Sequence, residues 1–279
     1  MKVLVRAARQ FVRSLLAPPE PPEWEYFPRG FHDSDPRVKG WNLESIADAQ
    51  RAKWPEVLRL VKGSGSLPVF MWAHDLSRPS SEADAVLASY GYVLARAARS
   101  KDHLSMLDWG GGIGHYKLIG EALLPEVAVE YHCKDVPALC KAGRELQPSA
   151  IFHESDESCF ARTYDVVMAS GSLEYAEDWK VLIRRLAEAT RAYLYIARLQ
   201  IVHRVESFPV IQRAYAHGYP TEYVSWVLSR PDFLAEAHGL DLSLVREFLV
   251  GPGPAIYRAP EACEFRSFLF ARDRDRNVR

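Results

Sequence analysis

The chain has 279 residues, 48% hydrophobic and 25% charged, a composition that excludes disordered and fibrous classes and allows a substantial core. Its 35 basic and 36 acidic residues nearly cancel, so no global field draws it to nucleic acid, which is excluded as the default partner. The four cysteines, Cys133, Cys140, Cys159 and Cys263, form neither a C-x-x-C pair nor a Cys/His cluster at metal spacing. No metal site is therefore expected, and reduced thiols in a cytoplasmic compartment are. No apolar run approaches the roughly 18 residues of a membrane span.

Residues 1–17 place Lys2, Arg6, Arg9 and Arg13 among Val3, Leu4, Val5, Phe11, Val12, Leu15 and Leu16, the pattern of a basic amphipathic helix. It lacks the long apolar stretch and cleavage site of a secretory signal. Two occupations suit it: a peripheral anchor at the inner face of a membrane, or docking on the body of the protein or on a second copy in a homodimer. Pro18, Pro19, Pro21 and Pro22 end this helix, because proline lacks the amide donor. Residues 1–22 are thus a helix and linker, and residues 23–80 an aromatic cap segment holding Phe27, Phe31, Trp41, Trp54, Phe70, Trp72 and one helix at 43–61. Such a segment either covers one face of a sheet or closes over a ligand.

From residue 81 to 271 the text becomes an α/β domain. A helix at 81–98, capped by Ser80 or Ser81, precedes alternating strands (103–109, 127–133, 150–153, 164–169, 192–197) and helices (116–124, 137–146, 178–190). That alternation predicts a Rossmann-like parallel sheet with helices on both faces. Two late strands, 242–249 and 265–271, flank a turn-rich stretch and suit antiparallel pairing at one edge. Residues 204–228, with Tyr215, His217, Tyr219, Tyr223 and Trp226, read as a second wall of a pocket or as a pair of helices; 272–279 is a charged tail.

The densest chemical signal is Asp108-Trp109-Gly110-Gly111-Gly112-Ile113-Gly114, set between a strand and a helix. Glycines there let the backbone turn tightly and a ligand approach main-chain amides, while the helix offers its positive end. The dinucleotide template G-x-G-x-x-G/A fails, because counted from Gly110 it meets His115 where glycine or alanine is required. A P-loop is excluded too, since no G-K-[ST] follows. The acid at the strand end, Asp108, suits a ligand bearing an ammonium group and would repel a pyrophosphate. A second acid belongs at the end of the next strand to accept hydrogen bonds from a ribose diol, and Asp135 stands there, about 20 residues beyond Gly114. Glu130 competes but falls inside the strand, whereas Asp135-Val136-Pro137 is an exit turn. A third acid, Asp156, follows the next strand and can meet an adenine amino group.

The glycine loop with His115 and Tyr116, then Asp135-Val136-Pro137, then Tyr164-Asp165-Val166-Val167-Met168-Ala169-Ser170-Gly171-Ser172-Leu173-Glu174-Tyr175, resembles the class I S-adenosylmethionine-dependent methyltransferases, in particular a sparsely characterised bacterial branch of them. The likeness covers 104–198 well and the flanking segments loosely. It implies a seven-stranded, mostly parallel sheet with an antiparallel last strand, and S-adenosyl-L-methionine as cofactor. It implies that Asp108, Trp109, Gly110, Gly111, Gly112 and Gly114 surround the methionine end, that Asp135 and Val136 meet the ribose and Asp156 the adenine, and that Ser170, Gly171 and Ser172 line the crevice. Members of that branch open with a short basic apolar segment, and many belong to surface-polysaccharide pathways. The expected function is methyl transfer, to an oxygen of a sugar or small metabolite.

Methyl transfer asks the protein to position the acceptor and remove its proton, and it needs no metal in principle. Glu174 and His115 are the candidate bases, with Tyr175 and His203 behind them, and Arg198 is the candidate to hold an acidic group of the acceptor. Two competing classes are a nicotinamide oxidoreductase, which lacks an evident Tyr-x-x-x-Lys pair here, and a module that binds the cofactor without catalysis and supports a membrane-associated biosynthetic assembly.

Overall fold

The computed structural model describes residues 21–32, 36–71, 73 and 75–272. The expected amphipathic helix of residues 1–17, with its membrane or dimer role, lies outside them, as do Trp72 and the tail beyond Arg272. In chain order the elements are β1 (Trp24–Tyr26), α1 (Glu44–Lys62), α2 (Ser81–Ala97), β2 (His103–Trp109), α3 (His115–Leu123), β3 (Ala128–Lys134), α4 (Pro137–Leu146), β4 (Ile151–His153) and the one-turn α5 (Asp156–Cys159). There follow β5 (Tyr164–Ser170), α6 (Trp179–Ala189), β6 (Thr190–Val202), β7 (Phe208–Arg213), β8 (Glu222–Ser229), α7 (Arg230–His238), β9 (Leu242–Pro252) and β10 (Glu264–Arg272).

The ten described strands form one sheet, and seven of them make its main body in the order β4-β3-β2-β5-β6-β10-β9. The first five run parallel, and β10 lies antiparallel between β6 and β9. The expected mostly parallel sheet and its antiparallel closing strand are therefore present, but the sheet has ten strands where seven were expected. Val166, Val167, Met168 and Ala169 of β5 are all 0% exposed, as a central strand covered on both faces requires. Alternate residues feed two cores. Met106, Met168 and Tyr195 pack on α2 through Val86, Tyr90 and Leu94. Leu107, Val167 and Leu194 pack on α6 and α7 through Trp179, Ile183 and Phe233. Helix ends are set locally: the Ser80 hydroxyl accepts from the Ala83 amide at 3.0 Å, and Asp178 accepts from the Val181 amide at 3.0 Å.

Residues 204–228 correct one expectation, since strands β7 and β8 stand where helices were one reading. With β1 they make an antiparallel ribbon, β1-β7-β8, which joins the end of β6 through Ile201↔Leu228 and Val202↔Ser229. The ribbon thus projects beyond the carboxyl ends of the parallel strands, where open α/β sheets take ligands. α1 packs beside it: Ile46, Trp54 and Val57 share a core with Leu139 of α4 and Tyr223 of β8. Among the described residues no helix is long and apolar enough to cross a membrane.

Candidate active site

The turn between β2 and α3 is shaped by close contacts as much as by backbone freedom. Gly110 has φ +73°, and a Cβ there would lie 2.3 Å from the Ser172 Cβ. At Gly111 a Cβ would lie 2.5 Å from Asp108 Oδ2 and 2.8 Å from Cys133 Sγ, so only glycine lets the loop pass over the end of β2. The Ser172 hydroxyl donates to the Trp109 carbonyl at 2.8 Å, joining this loop to the one after β5.

Asp108 is 0% exposed, and burial pushes its carboxyl up to about 7, against the opposing hydrogen bond from the Tyr131 hydroxyl and with help from the nearby Asp135. Its Oδ1 is buried and has no hydrogen-bond partner among the described residues. Asp135 accepts from the Gly112 amide and the Val136 amide, both at 2.7 Å, and burial raises its pKa as well. Each carboxylate oxygen keeps a further lone pair, which is what a diol needs. Glu130, the rival acid, is held below the usual carboxylate range, at about 2, by Arg162 and His132, and stays on the strand. Asp156 is engaged otherwise: it accepts from Trp109 Nε1 at 2.9 Å and pairs with Lys134 at 3.2 Å and Arg185 at 3.3 Å. Lys134 also sits 4.6 Å from the centre of the Trp109 ring.

A cavity of about 660 Å³ opens beside this loop, lined by Asp108, Gly110, Gly111, Gly112, His115, Ser170, Gly171, Glu174 and Arg198. Trp109, Gly114, Asp135, Val136, Asp156 and Ser172 stand outside its lining. Glu174 is 3% exposed with Oε2 unpartnered, and burial pushes its carboxyl up to about 7 although Arg198 opposes this. His115 Nε2 lies 3.0 Å from the Val69 carbonyl, which assigns the proton to that nitrogen and leaves Nδ1 a buried, unpartnered acceptor. Burial brings its pKa down to about 4, so the ring is neutral at pH 7 and a weak base. His203 does not join them: its ring pairs with Glu264 at 2.5 Å and is absent from the lining.

Arg198 was expected to end a strand, but β6 continues to Val202. It occupies a β-bulge instead. Between Arg266↔Leu199 and Phe268↔Ile196 one residue of β10 faces two of β6, and Arg198 takes φ +59°. The Ser267 hydroxyl accepts from its amide at 3.2 Å, and its guanidinium lies 4.9 Å from the centre of the Phe70 ring.

Among the lining residues that escaped the sequence reading are three glutamines, Gln50, Gln200 and Gln212. A signal existed for two of them. Gln50 interrupts the apolar stripe of Ile46, Trp54 and Val57, and Gln200 interrupts Leu199 and Ile201.

No protein-family model and no curated protein matches the sequence. Solved structures do. A protein from Galdieria sulphuraria assigned as a sarcosine dimethylglycine methyltransferase superposes with TM-score 0.50 at 14% identity, covering 81% of this chain and 99% of that one. The fold is that of the S-adenosylmethionine-dependent methyltransferases. Further methyltransferases match at TM-score 0.46: the magnesium protoporphyrin IX methyltransferase of Synechocystis PCC 6803 with bound cofactor, 13% identical over 84% of this chain and 100% of that one, and the 1,6-didemethyltoxoflavin N1-methyltransferase of Burkholderia thailandensis, 12% identical over 85% and 93%. In the methyltransferase fold found here the glycine loop, Asp135 and Glu174 all stand at the carboxyl ends of parallel strands.

Proposed function

We propose that the protein is an S-adenosylmethionine-dependent methyltransferase acting on an oxygen of a small molecule. The observation that carries this is a single cavity lined by the glycine loop, by Asp108 with its Oδ1 unpartnered among the described residues, and by the buried, protonatable Glu174. The residues fit the cofactor. Asp108 Oδ1 is a buried acceptor for an ammonium group, the loop from Gly110 to Gly112 admits close approach to backbone amides, and Asp135 serves the ribose diol beside Val136. Asp156 acts through Trp109, whose indole it orients, and Ser170, Gly171 and Ser172 shape the crevice.

When bound, S-adenosylmethionine supplies a methyl carbon activated by a sulfonium that departs with the carbon–sulfur electron pair. The chain's own residues then do three things. Glu174, ionised, takes the proton of the acceptor hydroxyl; a carboxyl poised near pH 7 does this far better than one near 4. His115, neutral, accepts a hydrogen bond through Nδ1 and orients the acceptor. Arg198, aimed into the cavity by the bulge, holds an acidic group.

The test is calorimetric titration with S-adenosylmethionine, S-adenosylhomocysteine and NAD in parallel, followed by transfer of labelled methyl. Binding of the first two alone is expected; binding of neither overturns the proposal, and binding with no turnover on any acceptor supports a non-catalytic module. Asp135→Ala should weaken cofactor affinity at least tenfold, whereas Arg198→Ala should spare it and lose activity.

A further inference from the structure

The cavity has an unusual polar inventory besides Asp108. His115 Nδ1, Glu174 Oε2 and Gln200 Oε1 belong to residues 8%, 3% and 2% exposed, all line the cavity, and none has a hydrogen-bond partner among the described residues. Buried acceptors left unmade are costly, so the missing partners are the O–H or N–H groups of a ligand. Three acceptors call for a ligand with several such donors. Facing them is a cation of the opposite requirement. Among the described residues no carboxylate comes within 4 Å of the Arg198 guanidinium, whose polar neighbour is the Tyr116 hydroxyl and whose flat face rests on Phe70. The chain holds Arg198 there at the expense of an unfavourable backbone conformation, φ +59°, in a bulge that re-aims its side chain. A half-buried guanidinium presents a planar fork of donors that matches a carboxylate. Part of the remaining wall is aromatic: Trp41, Tyr175 and Tyr219 line it, and Trp41 is braced by Tyr223, stacked at 4.1 Å. Ring faces carry negative charge density and suit the polarised C–H edge of a saturated, oxygen-bearing skeleton.

We propose that the acceptor is a polyhydroxylated carboxylic acid, its carboxylate seated on Arg198 and its hydroxyls facing Glu174, His115 and Gln200. This rests on the methyltransferase reading of the cavity and narrows it to one substrate class. Arg198 sets specificity for the anion, and Gln200 reads a hydroxyl that does not react.

The test titrates the whole protein, with and without saturating S-adenosylhomocysteine, with D-glucuronate, D-gluconate and quinate, each beside a neutral counterpart: D-glucose, D-glucitol and methyl quinate. At least one acid should bind at least tenfold more tightly than its neutral partner. Arg198→Met should abolish that preference while S-adenosylhomocysteine binds as before, Arg198→Lys should restore part of it, and Gln200→Leu should weaken acid and neutral compound alike. Equal binding of acids and neutral counterparts, or binding of no acid to protein that binds S-adenosylhomocysteine, overturns the inference. If S-adenosylhomocysteine fails to bind, the methyltransferase reading falls, and the titrations without it still decide whether Arg198 forms an anion site.

Discussion

At the scale of single residues, Glu174 carries opposite consequences for stability and for chemistry. Its carboxyl loses a proton near 4.5 in the unfolded chain and near 7 when folded, because burial disfavours the charge. The folded state therefore binds more protons across that window, so stability declines as pH rises from about 4.5 to 7 and stays reduced above it. Glu174→Gln should accordingly stabilise the protein by up to about 3 kcal/mol at pH 8, not at all at pH 4, while abolishing methyl transfer. Urea denaturation at the two pH values checks this; an equal displacement at both would mean that burial of charge is not the cause. The acids and glycines of this site were legible in the sequence because a tight strand-to-helix turn tolerates few residue types. The two-for-one register that turns Arg198 into the cavity was not legible, since a bulge is a property of the pairing between β6 and β10 rather than of either strand alone.

At the scale of elements, the loop after β2 and the ribbon β1-β7-β8 are held by different physics. In the loop, Gly110→Ala would place a methyl group 2.3 Å from the Ser172 Cβ at a backbone angle of φ +73°. A loss of at least about 1 kcal/mol is expected from the left-handed backbone alone, with a larger fall in cofactor affinity because the loop must shift. Calorimetry of the variant against S-adenosylhomocysteine measures both. In the ribbon, Arg213 donates to Glu25 and to the Pro22 carbonyl, each at 2.8 Å, and its Nε lies 3.6 Å from the almost fully buried Glu222. Arg213→Ala leaves Glu222 with the longer Arg37 contact at 3.8 Å and the Tyr215 hydroxyl, so a cost of about 3 kcal/mol is expected. Hydrogen exchange should quicken in β1 and β7 and hold steady in β2 and β5; uniform loosening would contradict a local staple. This ribbon was the part of the fold hidden from the sequence. Strands β7 and β8 are buried on nearly every residue, which erases the alternation by which a strand is recognised, and the Pro209 in β7 reads as a break.

At the scale of the whole molecule, the parallel sheet was legible because β2, β3 and β5 alternate along the chain with the helices α3, α4 and α6, a pattern few architectures satisfy. What that sheet creates is a buried electrostatic deficit at its carboxyl edge. Asp108 is raised to about 7 chiefly by desolvation, with Asp135 adding repulsion, and Asp135 is raised too. Asp108, like Glu174, makes the ligand-free protein less stable as pH climbs from about 4 to 7, and the raised Asp135 acts in the same direction. A ligand presenting an ammonium group to Asp108 reverses the sign, since a nearby cation favours the carboxylate. Binding at pH 7 should therefore expel about half a proton from Asp108, affinity should rise as pH increases through 7, and the rise in melting temperature on adding ligand should be larger at pH 8 than at pH 6. Titrating S-adenosylhomocysteine at pH 7 into two buffers of different ionisation enthalpy reads the proton directly. Distinct heats at pH 7 that converge near pH 8, where Asp108 is mostly ionised and the ligand's amino group still mostly protonated, and that coincide at pH 7 in Asp108→Asn, are the expected result; identical heats at pH 7 in the unaltered protein would show that Asp108 is already ionised and that the ligand's charge is met elsewhere.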